Sequence, residues 1–263
     1  MTATKKKLSA EDKAKFDQIE GLVTVPDNRR RFQAATTAAE VRGIATELEI
    51  DTRNDMGKLS AKLKQIGVNY PALRAVEREE RDAEVAEKAA ELAERKDSLP
   101  VVRLWSAAAE SDDGSEASFA LVDADGIGTW FGQFWNDDKL RKPGDLVSAE
   151  QSVAEKAIYT AFKARKAAEV DEVCLWLTTT CPDLDVPMLR SRGARNGIAV
   201  DVTVDDADNR AVAMAETTGY RSLKSVTDDE FAELVETDLE VDTDESEDAV
   251  DVDALADADE DAE

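Results

Sequence analysis

The run from Pro100 to Gly219 constrains the fold more than any other part of this chain. Three short strand-like stretches come first: V-V-R-L-W-S-A-A-A from Val101, A-S-F-A-L-V-D from Ala117 and G-T-W-F-G-Q-F-W from Gly128. Asp112-Asp113-Gly114-Ser115 and Asp123-Ala124-Asp125-Gly126 lie between them, and such Asp/Gly clusters predict hairpin turns. A helix is expected from Ser148 to about Ala168, with Val153, Ala157, Ile158, Ala161 and Phe162 on its inner face. Residues 172–180, E-V-C-L-W-L-T-T-T, form a continuous apolar run, as in a strand buried on both faces. A short helix from Val186 to Arg195, a strand from Ile198 to Val204 and a helix from Asn209 to Thr218 complete the series. Strands followed by strand–helix alternation point to the α/β class.

The 263-residue chain carries a formal net charge of −26, but the charge is unevenly placed. No basic residue follows Lys224, and Asp228 to Glu263 holds 19 acidic ones, so the remainder has a net charge of only −7. The segment from 226 to 263 is therefore read as an acidic tail. From about Asp238 it is rich in Asp, Glu, Ala and Val, and too polar to offset its chain entropy by burial, so disorder is expected there.

Histidine is absent, which removes Ser-His-Asp and Cys-His triads and histidine general bases. An enzyme built on this chain must use carboxylates, metal ions or lysine. Two cysteines without histidine make poor zinc ligands, and Cys174, within V-C-L-W-L, reads as a small buried hydrophobe. No apolar window reaches the ~18 residues needed to span a membrane. The start M-T-A-T-K-K-K has no apolar core of a secretion signal. A reduced, cytoplasmic setting is the expectation.

Residues 1–70 read as a helical module. Ser9 with Asp12 resembles an N-cap pair, and Thr37 with Glu40 is a capping-box pair. Val41, Ile44 and Leu48, then Met56, Leu59, Leu63 and Ile66, recur at helical spacing around the turn Asp51-Thr52-Arg53-Asn54. The 37–67 string resembles a helix-turn-helix, with Lys58 and Lys62 on its second helix, although Glu49 stands where a glycine is usual. An ordinary α-hairpin explains the same pattern. Residues 71–98 read as a long connecting helix laced with i,i+4 charge pairs.

Within residues 99–225, the element order resembles a ribonuclease H-like domain. The stretches V-A-E-K-A-I-Y-T-A-F and D-N-R-A-V-A-M-A-E-T-T-G resemble that superfamily's first and last helices. The resemblance implies a mixed five-stranded sheet with flanking helices, and in active members two Mg²⁺ or Mn²⁺ ions held between carboxylates for phosphodiester hydrolysis. Glu155 matches the first-helix glutamate. The remaining metal-binding positions fall near Ser106 or Ala107, at Thr179 or Thr180, and at Ala213. With one carboxylate of four retained, the resemblance implies a non-catalytic protein that needs no cofactor. The alternative is a divergent nuclease in which Glu155 acts with displaced Asp112, Asp183 and Asp208, or with Asp123 in a shifted register. Turn chemistry accounts for the same aspartates.

Partners follow from charge. Lys139, Arg141 and Lys142 before the long helix, and Arg190, Arg192 and Arg195 around the short one, are candidates for phosphate contacts with DNA or RNA. The acidic tail is a candidate for a basic protein partner, or for a scaffolding role. The functional expectation is a nucleic-acid-associated or protein-interaction role, in the compositional style of a phage or mobile element.

Overall fold

The computed structural model describes residues 9–111, 114–135, 138–217 and 219–237. The lysine-bearing arm before residue 9, Asp112 and Asp113, and the acidic segment from residue 238 lie outside the described residues.

Five helices come first. Helix α1 (Ala10–Thr24) opens on Ser9, whose side chain accepts the Asp12 N–H, and α2 (Pro26–Ala34) starts with proline at a position where no N–H is needed. Helix α3 (Ala38–Glu47) begins with the reciprocal Thr37–Glu40 capping box. It is followed by α4 (Met56–Gln65) and the 25-residue α5 (Tyr70–Glu94). Ile19, Val23, Phe32, Val41, Leu59, Leu63 and Tyr70 close into one buried cluster. Further along α5, Leu92 packs with Cys174 and Ala199 instead, so one helix serves two cores.

The connection between α3 and α4 departs from a four-residue turn. It spans Leu48 to Asp55, eight residues. Ile50 is drawn into the helical core, and the Asp51 carboxylate collects the Arg53 and Asn54 N–H groups. Glu49 adopts a left-handed φ of 56° at the position where glycine is the usual occupant.

The second part is α/β. Its strands are β1 (Val101–Glu110), β2 (Ala117–Val122), β3 (Gly128–Gln133), β4 (Val173–Thr179), β5 (Ile198–Val204) and β6 (Val235–Glu236). Its helices are α6 (Leu146–Ala167), α7 (Val186–Ala194), α8 (Ala211–Ala215) and α9 (Asp228–Glu233). The sheet is mixed and six-stranded, in the order β3-β2-β1-β4-β5, with β6 added beside β1. β1 is antiparallel to β2 and parallel to β4, and β4 is parallel to β5.

The sixth strand corrects the expected five. β2 pairs with β1 only from Trp105 onward, which leaves Val101 and Val102 open to β6. The tail consequently starts later than residue 226. Thr227 and Glu230 form a second capping box, α9 buries Phe231, and Leu234 and Val235 pack against the sheet core. Ordering these acidic residues is offset by that apolar burial, worth about 2 kcal/mol for a phenylalanine.

Alternation along the strands sorts the core. Val102, Leu104, Val173, Leu175 and Leu177 face α6, which presents Ala149, Val153, Ala154, Ala157 and Ala161. The small residues let the helix lie close to the sheet. Ala107, Ala120 and Val122 face α8 on the other side. At Gly193 a Cβ would stand 2.6 Å from the Ile198 carbonyl oxygen, so α7 needs glycine to approach β5.

Candidate functional site

Ser106 and Thr179, buried polar residues of the sheet, meet Glu150 of α6 towards one end of β1. β4 stops at Thr179, opposite Ser106, so β1 runs on for four residues without a partner on that side. Glu150, in the second turn of α6, takes over. Its Oε1 accepts the Ala108 N–H at 2.9 Å. Glu150 is only 3% exposed, and Ser106 and Thr179 are fully buried. Asn209 donates from its side chain to the Ser106 carbonyl oxygen at 2.9 Å, and the Thr179 hydroxyl accepts the Cys181 N–H at 3.2 Å.

Burial dominates the chemistry of Glu150. It pushes the carboxyl up to about 7, against the opposing pull of the Ala108 N–H and the Thr179 hydroxyl. Although Thr179 lies close enough to influence the charge, Oε2 has no partner in hydrogen-bonding geometry. A proton on Oε2 would turn that atom into a donor beside a hydroxyl acceptor. The group is thus suited to holding a proton near neutrality.

A divalent metal does not fit this donor set. Hard cations need several oxygen ligands with anionic charge. Here one carboxylate, already engaged by a backbone N–H, stands among neutral hydroxyls. Among the described residues, no group of three or more carboxylate or cysteine side chains converges to hold a metal ion.

Glu155 sits elsewhere. Five residues along α6, it is carried roughly 7.5 Å down the helix axis, where its carboxylate binds the Arg192 guanidinium of α7. Burial raises its pKa, and Arg192 opposes the shift. Asp123 caps the β2–β3 turn, accepting the Asp125 and Ile127 N–H groups at 3.1 and 2.8 Å. Asp183 is exposed in the loop after β4, and Asp208 is exposed beside Arg210 at 3.9 Å. Asp112 lies outside the described residues. Asp183 and Glu150 both act on the Cys181 thiol, but among the described residues no group of three or more such side chains converges on Glu155 or Glu150.

Most of the basic candidates are already paired. Arg141 is held by Glu110 at 3.2 Å and by the Gly114 carbonyl, with both members of the pair largely buried. Arg192 is bound by Glu155, and Arg195 lies 3.4 Å from Asp82. Arg190 reaches the Val200 carbonyl at 3.4 Å. On α4, Lys58 contacts Asp12 and Asp55, and Lys62 contacts Glu20 at 2.6 Å and covers the Phe16 ring. The basic face of α4 is therefore turned onto α1. Lys139, Lys142 and Arg190 are the members of this set that are exposed without an ion pair among the described residues.

Glu150 was legible in the sequence. It lies three, four, seven and eleven residues before Val153, Ala154, Ala157 and Ala161, on the same helical stripe. Glu155 lies off that stripe, beside Ile158, Tyr159 and Phe162. No protein-family model matches this chain, and a search of curated proteins returns no match.

Proposed function

We propose that residues 99–237 form a ribonuclease H-like domain without nuclease chemistry, used as a protein-interaction module. The strand order β3-β2-β1-β4-β5, with an antiparallel trio and two parallel additions, supports the likeness. So does a carboxylate delivered by the first crossover helix to the end of β1. One observation carries the loss of chemistry. Ser106 and Thr179, register partners on the two central strands, stand as neutral hydroxyls where metal-binding carboxylates are needed beside Glu150. Glu150, not Glu155, is the remnant of the ancestral set.

Protein interaction is favoured over nucleic acid because Arg141, Arg192, Arg195, Lys58 and Lys62 are engaged by carboxylates, whereas Trp135 and Tyr220 are over three-quarters exposed. The test is a retention experiment on the full chain with single-stranded DNA, duplex DNA and an RNA–DNA hybrid, at low and high salt. Weak retention, unaffected by Lys139→Glu/Lys142→Glu, is expected. Tight binding with a steep salt slope, lost in that variant, would assign the domain to nucleic acid.

A further inference from the structure

A groove of about 530 Å³ opens between α6, α9 and the end of β3. Its floor is rigid. Trp130 stands edge-on to Phe119 at 5.6 Å, and Phe231 is buried beneath the Lys163 ammonium at 5.6 Å. Its walls are different: Trp135 is 77% exposed and Tyr159 51% exposed. Lys163 and Lys224 stand on its lining. Large aromatic faces left in water beside two ammonium groups fit an occupant that brings apolar side chains and negative charge together.

We propose that this groove receives the chain's own acidic carboxy-terminal segment, residues 238–263. That segment carries 14 Asp and Glu residues, no Lys or Arg, and Leu239, Val241, Val250, Val252 and Leu255 set among the acids. Its composition matches the groove in both respects. Its origin matches as well: α9 supplies Phe231 to the groove and Glu236 ends β6 only five residues later. Tethering this close gives an effective concentration on the order of millimolar, so weak contacts suffice. A polynucleotide would meet the same lysines, but Asp228 on the lining cancels one of the two charges. It would also have to approach a chain of net charge −26.

Fluorotryptophan-labelled full chain, read by fluorine NMR, tests this directly, with the Trp135 line assigned through Trp135→Phe. Replacing the 14 carboxylates of residues 238–263 by amides should shift the Trp135 line and increase its solvent exposure. Lys163→Glu/Lys224→Glu should produce the same change in a chain whose Trp176 line, beneath Arg103 on the sheet, stays in place. An unmoved Trp135 line in both variants overturns the proposal. So does an oligothymidylate that shifts Trp135 as strongly in the intact chain as in the amide-tailed one, which would give the groove to nucleic acid.

Discussion

Ser106 on β1 and Thr179 on β4 are register partners, both fully buried. The Glu150 carboxyl is influenced by the Thr179 hydroxyl and accepts the N–H of Ala108, two residues beyond Ser106 on β1. Burial raises that carboxyl to about 7, and it offers a single carboxylate where a divalent cation needs several oxygen ligands.

Glu150 makes stability depend on pH. Its folded pKa is about 7 against an ordinary 4.5, so the folded state binds the proton more tightly than the unfolded one. The contribution is complete below the ordinary value and is lost as pH rises through about 7. At most about 3 kcal/mol is involved. Glu150→Gln keeps an acceptor for Ala108 without a charge. Chemical denaturation should show the variant more stable than the wild type at about pH 8 and nearly equal at about pH 4.5. A constant difference across that range would mean that Glu150 is ionised throughout.

Asp138 leans the other way. Burial alone would raise it, but the Lys156 ammonium at 2.6 Å, the Ser152 hydroxyl and the Arg141 N–H outweigh burial and hold it at about 2. Its contribution is present above the ordinary value of 3.8 and is lost as pH falls towards 2. Lys156 also lies 4.9 Å from the Phe134 ring centroid and 5.2 Å from that of Phe119. In acid denaturation followed by circular dichroism, Asp138→Asn should flatten the acid limb of the stability curve. An unchanged limb would place the acid sensitivity elsewhere.

The two glutamates show how much of this was legible in the sequence. The strand and helix order from Val101 to Ala215 follows from alternation, turn residues and helical spacing, and both capping boxes lie in plain T-x-x-E strings. Choosing between Glu150 and Glu155 needed the helical stripe read back to its first turns. Local resemblance around V-A-E-K-A pointed instead to Glu155, whose carboxylate binds Arg192 of α7. The fate of Lys58, Lys62 and Arg141 was not legible, because their partners Asp12, Glu20 and Glu110 are distant in the chain. Pairing over such separations is set by tertiary packing. β6 was hidden for a similar reason: two residues acquire strand character only because β1 leaves its first residues open.

Arg141 distinguishes a structural cation from a phosphate ligand. Its pair with Glu110 is nearly buried, so Arg141→Met, which strands a carboxylate, should cost about 3 kcal/mol by urea denaturation. Adding Glu110→Leu should recover most of that loss. If Arg141→Met instead left stability intact and weakened oligonucleotide retention, the residue would be a phosphate contact.

The missing charge at the β1–β4 pair can be supplied. Ser106→Asp/Thr179→Asp should destabilise the metal-free chain through like-charge crowding around Glu150. Mn²⁺ should raise its melting temperature, and adding Glu150→Gln should remove that rise. No Mn²⁺-dependent shift in the double variant would mean that the three side chains do not converge on one ligand position.

The central claim, a nuclease-like sheet without nuclease chemistry, is tested most directly by cleavage. Full-length chain is incubated with hybrid, duplex and branched substrates in Mg²⁺ and in Mn²⁺, beside Glu150→Gln and Glu155→Gln. The predicted result is no cleavage above that of either variant. Metal-dependent cleavage by the wild type, abolished by one of these substitutions, would contradict it.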